Sequence, residues 1–421
     1  MAFALSLLFA AFLLLMVGLK YWLAWRQMSH VAAHADRVPA RFADRISLEA
    51  HRKAAGYTIA RQRLGLVETA VGAIVLLALT LLGGLQAIST ALAGPLGNGV
   101  TYQVGVVAVV VVLLALIDLP FDWYRQFHIE TRFGFNRMTP RLFLADFIKT
   151  AALSAALGLP LLTLVLWLMG EAGANWWIYA WIVWASFNGL MMALYPTLIA
   201  PLFNKFEPLK NEALASRIEA LLARVDFSSR GVFVMDGSKR SSHGNAYFAG
   251  LGRAKRIVFF DTLVERLQPA EVEAVLAHEL GHFKRRHIAK RLLFVFGMSL
   301  ALLALLAWLM QQAWFFQGLG VEPRLDARND GVALLLFVLV LPVFTFVFAP
   351  LGSRLSRKQE FEADAFAAQN ARAEDLVSAL VKLYEDNAAT LTPDPLHSAF
   401  YDSHPPAALR IDRLLRAAPA T

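Results

Sequence analysis

The chain has no cysteine. That excludes disulfides, thiol nucleophiles and thiolate-held metals, so any metal must be held by His, Asp or Glu. Charge is scarce as well, with 17% Asp, Glu, Lys and Arg in 421 residues against about 25% in an average soluble domain. There is no internal repeat and no low-complexity linker. What fills the chain instead is apolar: 57% of residues are hydrophobic and the mean hydropathy is +0.51. The apolar residues gather in blocks about 20 residues long, enough to span a hydrocarbon core. An ordinary soluble protein is excluded. The net charge of +8 does not point to nucleic acid, because Lys and Arg cluster in loops beside the apolar blocks, where lipid headgroups and topology explain them.

Seven spans are expected: Ala2 to about Leu23, Leu66 to Ile88, Tyr102 to Leu119, Thr150 to Met169, Trp176 to Ala200, Leu292 to Phe316 and Val332 to Leu351. The first has no basic residue before it and runs past signal-peptide length, so it is expected to stay as a span. Lys and Arg are abundant in the first, third and fifth connections and in the tail. They are missing from the second and fourth, and only Arg324 and Arg328 occupy the sixth. The positive-inside rule then puts the amino terminus outside, and the large insertion and tail together on the cytoplasmic face. Four regions follow: residues 1–200 with five spans and two basic loops, a 201–291 insertion, 292–351 with two spans, and a 352–421 tail. Glu68 and Asp118 fall near span ends, where either the membrane interface or an internal water space would solvate them.

Within the insertion, Asn211 to Val225 reads as a helix, and Gly231 to Met235, Ala246-Tyr247-Phe248 and Arg256 to Phe260 read as strands, the last two joined through Gly250-Leu251-Gly252. Pro269 then opens another helix, with Glu271 and Glu273 at its positive end and Val272, Leu276, Leu280 and Phe283 as its apolar stripe. This helix carries His278-Glu279-Leu280-Gly281-His282. Two histidines four residues apart share a helix face and can reach one metal ion, with the glutamate beside it. From composition the pattern is expected by chance roughly 0.01 times in such a chain.

A catalytic zinc takes three protein ligands and leaves one position open. The best third ligand is Glu360, in a helix-like stretch directly after span seven. Asp364, four residues on, shares its face and either supports a ligand histidine or is a plain surface charge. Glu362 points about 160° away around the helix and suits the role poorly. His287 lies off the ligand face and reads as structural or interfacial. With zinc polarising a scissile carbonyl, Glu279 is the expected general base that then returns the proton to the leaving amine. His404 and Arg410, in a tail loop and helix on the same side, are able to reach the carbonyl oxygen, although basic residues are common in tails.

These stretches together resemble the type I CAAX prenyl endopeptidases, integral-membrane zinc metalloproteases. The match runs through Gly134-Phe135-Asn136 with Thr139-Pro140, Gly237 to Phe248, Lys255 to Leu263, His278 to His282 with His287, Glu360 to Asp364, and His404-Pro405 with Arg410. Glu362 departs from it, since glutamine is more usual there. The resemblance implies seven long helices around a water-filled chamber, capped on the cytoplasmic side by an α+β zinc domain. It implies that Asn245, Ala246 and Tyr247 bind substrate backbone as an edge strand; alone, Asn245 reads as a turn residue. It also implies that His404 and Arg410 assist at the substrate carbonyl or carboxylate, and that substrates are prenylated peptides cut after the lipidated cysteine.

The expected protein is therefore a mainly α, membrane-embedded endopeptidase, holding one zinc and acting as a monomer on peptides, with the bilayer as its other partner. A quality-control protease with no prenyl requirement is the alternative. Richness in Ala and Leu, and the lack of any Asn-x-Ser/Thr acceptor, lean towards a bacterial inner membrane over the endoplasmic reticulum. A transporter or receptor would need ionisable residues in mid-span, and these are lacking.

Overall fold

The structure, a computed structural model, describes residues 1–249, 255–324 and 328–417. Seven helices in it are long and apolar enough to cross a membrane: Ala2–Ala33, Leu48–Leu79, Val100–Glu130, Pro140–Glu171, Gly173–Leu202, His287–Leu309 and Asp330–Asn370. The helices outrun the apolar windows that mark them, because hydropathy locates a membrane and not a helix end. The second starts inside a polar stretch, where Ser47 accepts the Ala50 amide at 3.1 Å as its N-cap. It stops at Leu79, where an expected span reaching Ile88 is broken by left-handed Gly83, and a separate helix, Gly84–Leu96, begins. The sixth span ends at Leu309, short of the expected Phe316, with Ala313–Gln317 as a separate turn. The seventh runs on through a short 3₁₀ turn into Ala349–Asn370, so the Glu360 segment is an extension of a span.

Among the described residues two large cores hold the molecule, and a smaller third cluster joins Tyr57, Leu64, Ile129 and Phe135. One lies at a single end of the bundle, built from Phe9, Leu13, Leu79, Tyr102, Val106, Leu166, Trp176, Leu306 and Leu336 among others. The second joins the insertion to the tail through Ile218, Leu221, Phe259, Leu276, Leu280, Leu376, Leu380 and Ile411. Between them the spans bury little: 6 to 17% of the apolar window in the first six. Low burial in these windows leaves much apolar surface uncovered by protein, as suits helices that cross a membrane. Glu68 and Asp118 border a cavity of about 200 Å³ between the second, third and seventh spans, where Glu68 also pairs with Arg125.

The insertion carries a four-stranded sheet of β1 (Phe206–Pro208), β2 (Val232–Met235), β3 (Ala246–Ala249) and β4 (Arg256–Phe260), in the order β1-β2-β4-β3. β1 is a three-residue strand that periodicity could not flag. β3 pairs antiparallel with β4, Tyr247 opposite Val258, while β2 and β4 run parallel. The expected turn at Gly250-Leu251-Gly252 lies outside the described residues. Loops that the charge pattern puts on one side meet here: Phe42 and Ile46 enter the insertion's core, and Asn136 bridges to Ser241.

Candidate active site

The helix Pro269–Lys284 is fixed at its start by a capping box. Gln268 donates its amide to Glu271 Oε2 at 2.7 Å, and Ser378 and Lys382 reach the same carboxylate at 2.7 Å each. Val272, Leu276 and Leu280 are buried in the core. The adjacent face carries the histidines towards the helix Ala349–Asn370. The crossing is close at Gly281, where a Cβ would stand 2.9 Å from the Ala363 Cα. Only glycine allows that approach, and it brings Glu360, three residues before Ala363, onto the histidine pair.

His278 Nε2 lies 3.3 Å from His282 Nε2 and 3.4 Å from Glu360 Oε2, and His282 Nε2 is 3.2 Å from Glu360 Oε1. The partners behind the rings set their tautomers. Asp364 Oδ1 accepts from His278 Nδ1 at 2.9 Å, which leaves the Nε2 lone pair facing inward. Glu362 Oε2 accepts from His287 Nε2 at 3.0 Å, so His287 Nδ1 accepts in turn from His282 Nδ1, 3.0 Å away. The His282 Nε2 lone pair therefore also faces inward. Glu360 Oε2 is buried and lacks a hydrogen-bond partner among the described residues. With both imidazoles neutral, three electron pairs converge there, and such a set fits a cation.

His287 thus stands directly behind His282, reached by a reversal at Arg286, whose φ of 57° ends one helix and starts the next. Its i+5 spacing hid this, since the turn and not helix periodicity brings it back. Arg410 is 5% exposed and clamps Asp364 from Nε and Nη2 at 2.9 and 2.6 Å, with Nη1 3.7 Å from Glu360 Oε2. Most of its guanidinium is thus committed to the carboxylate behind His278. His404 Nε2 lies 3.6 Å from Glu360 Oε2 on a side chain that is 61% exposed.

Burial alone would lower the His278 imidazole, but the carboxylates of Asp364 and Glu360 beside it raise it to about 9. Burial raises the Glu279 carboxyl above the usual carboxylate range. Among the described residues no group hydrogen-bonds that carboxylate, which leaves it available to a proton.

β3 is an edge strand. Ala246 and Phe248 pack on the core that the histidine helix also supplies, and Tyr247 faces away, its hydroxyl 3.8 Å from Met235 Sδ. Asn245 is exposed, its carbonyl accepting from Phe260 N at 3.0 Å and its side chain from Ala246 N at 2.8 Å.

Residues 27–205 match a family described as the CAAX prenyl protease N-terminal domain with five membrane helices, and residues 208–418 match peptidase family M48. The chain is a member of peptidase family M48. This M48 peptidase is 38% identical over 316 residues to a CAAX prenyl protease 1 homolog of Arabidopsis thaliana, covering 75% of this chain and 73% of that one. It is 35% identical over 344 residues to the CAAX prenyl protease 1 homolog of Homo sapiens, covering 71% and 70%. The crystal structure of S. mikatae Ste24p superposes with a TM-score of 0.90 at 30% identity, covering 97% of this chain and 99% of that one. The protein is a multi-pass membrane metalloendopeptidase.

Proposed function

We propose that this M48 peptidase uses one zinc ion, held by His278, His282 and Glu360, to cleave prenylated peptides near their carboxyl terminus. The convergence of those three side chains carries the reading. Two imidazoles and a carboxylate, in a chain without cysteine, suit catalytic zinc. Their separations of 3.2 to 3.4 Å are those of ligands held about 2.0–2.1 Å from a tetrahedral ion. Bound zinc supplies Lewis acidity, polarising a carbonyl and acidifying water.

The remaining steps fall to the chain. Hydrolysis needs a base to take a proton from water and an acid to give one to the leaving amine; Glu279, with no competing partner, serves both in turn. β3 offers its free edge at Asn245, Ala246 and Tyr247 to an extended peptide, adding it to the sheet by main-chain hydrogen bonds. His404 Nε2 donates to the carbonyl oxygen as charge develops there. Asp364 and His287 hold the ligand histidines, and Arg410 holds Asp364 while its Nη1 faces the site. Residues 201–291 and 352–421 act as one peptidase unit on the cytoplasmic side, as their common core and the basic loops support.

The prenyl part draws support from the names of the relatives. Matched peptides with and without a farnesyl group, assayed on the purified chain in lipid vesicles, test it. Preferential cleavage of the farnesylated peptide is expected, and equal rates would remove the prenyl requirement.

A further inference from the structure

His404 sits largely in the open, and among the described residues only Ser403 Oγ, 3.0 Å from its Nδ1, hydrogen-bonds the ring. Something must fix the backbone beneath it. The preceding helix, Pro395–Tyr401, is held at both ends. At its start Asp394 accepts from Leu396 N and His397 N, and is itself held by Arg26 and by Gln27 from the first span. At its end Asp402 N donates to Ser398 O at 3.0 Å, and two side chains of Ala349–Asn370 reach the carbonyls there. Ser353 Oγ donates to Phe400 O at 3.1 Å. Arg357 Nη1 donates to Ser398 O and to Asp402 O, both at 3.0 Å.

Ser353, Arg357, Glu360 and Asp364 follow the i, i+4, i+7, i+11 spacing of one helix face. Two of them hold the loop and two face His278. A single rigid stripe therefore sets both the carboxylate and the His404 loop in one register. Asp402 is two residues from His404, so the Arg357 contact is the last side-chain anchor before the imidazole. A guanidinium is suited to this because its planar donors hold fixed directions, which an ammonium does not.

We propose that Arg357 is a positioning residue, bridging Ser398 O and Asp402 O so that the His404 imidazole is held against the Glu360 side of the site. The proposal rests on the role given to His404 above. Loss of this bridge displaces His404 and lowers the rate of the chemical step, without touching the ligands or the edge strand.

The test is a double-mutant cycle on the full chain in detergent, assayed with a farnesylated peptide, with zinc content and thermal melting recorded for every variant. Arg357→Lys is expected to lower kcat about tenfold or more, with KM within about twofold and zinc content unchanged. In a His404→Ala background the same substitution is expected to cost less than about twofold, because the group it positions is gone. Ser353→Ala, which removes the neighbouring hydroxyl bond, gives a second route if Arg357→Lys melts below assay temperature, and is expected to show the same dependence on His404. An equal loss in both backgrounds, or no loss in the first, overturns the proposal while leaving His404 in place. A His404→Ala enzyme with full kcat overturns the role of His404 and this proposal with it.

Discussion

Asp364 and Arg410 form a buried two-point ion pair, Nη2 to Oδ1 at 2.6 Å and Nε to Oδ2 at 2.9 Å. The same Oδ1 lies 2.9 Å from His278 Nδ1. A tail helix is thereby connected through one carboxylate to a ring whose other nitrogen faces the metal site. The arrangement fixes the tautomer of His278 and raises the basicity of its Nε2.

Asp364→Asn keeps the shape of this contact and removes its charge. Zinc affinity is expected to fall about 10- to 100-fold, measured by competition with a chelator of known affinity. An unchanged affinity would show that Asp364 serves packing alone.

Gly281→Ala puts a methyl 2.9 Å from a backbone atom of Ala363, which a side-chain rotation cannot relieve. Over-packing of this kind costs about 1–3 kcal/mol. We expect a lower melting temperature together with weaker metal retention, since the same crossing brings Glu360 to the histidines. Gly297, in the sixth span, has nothing within reach of a Cβ, and Gly297→Ala is the control expected to leave metal retention intact.

How far the site was legible follows from which contacts are local. His278, Glu279 and His282 lie within one helical turn, as do Glu360 and Asp364, so spacing alone could group each set. The crossing at Gly281 joins residues 82 positions apart (281 and 363), and no local period reports it. His287 was hidden for a related reason, because the left-handed turn at Arg286 breaks the helix that spacing would extend. Span ends at Leu79 and Leu309 were misplaced where apolar residues continued beyond the helix. The chamber came from the resemblance alone, because spacing marks where spans lie and not how they spread.

Two titrations shape the pH response, with opposite origins. His278 in the metal-free protein holds its proton up to about 9, and a metal must displace it. Zinc affinity is therefore expected to rise about tenfold per pH unit through neutrality and to level off near pH 9, as read by metal titration at fixed pH values. A flat affinity from pH 6 to 9 would contradict the raised imidazole.

Glu279 acts as base only when ionised, and burial raises its carboxyl above the ordinary range. The acid limb of kcat/KM is expected to lie above that of an exposed glutamate, which titrates at about 4.3. Activity should be lost as pH falls through the raised value and recovered as pH rises. The profile is to be taken at saturating zinc, so that metal loss does not contribute to the limb.

In the proposed mechanism a metal held by His278, His282 and Glu360 works with Glu279 as the proton carrier. Glu279→Gln tests it most directly, with zinc per chain and peptide cleavage measured on the same purified sample. About one zinc per chain is expected, as in the unaltered protein, with a loss of cleavage of about 100-fold or more. Full cleavage by the zinc-loaded Glu279→Gln protein would contradict it.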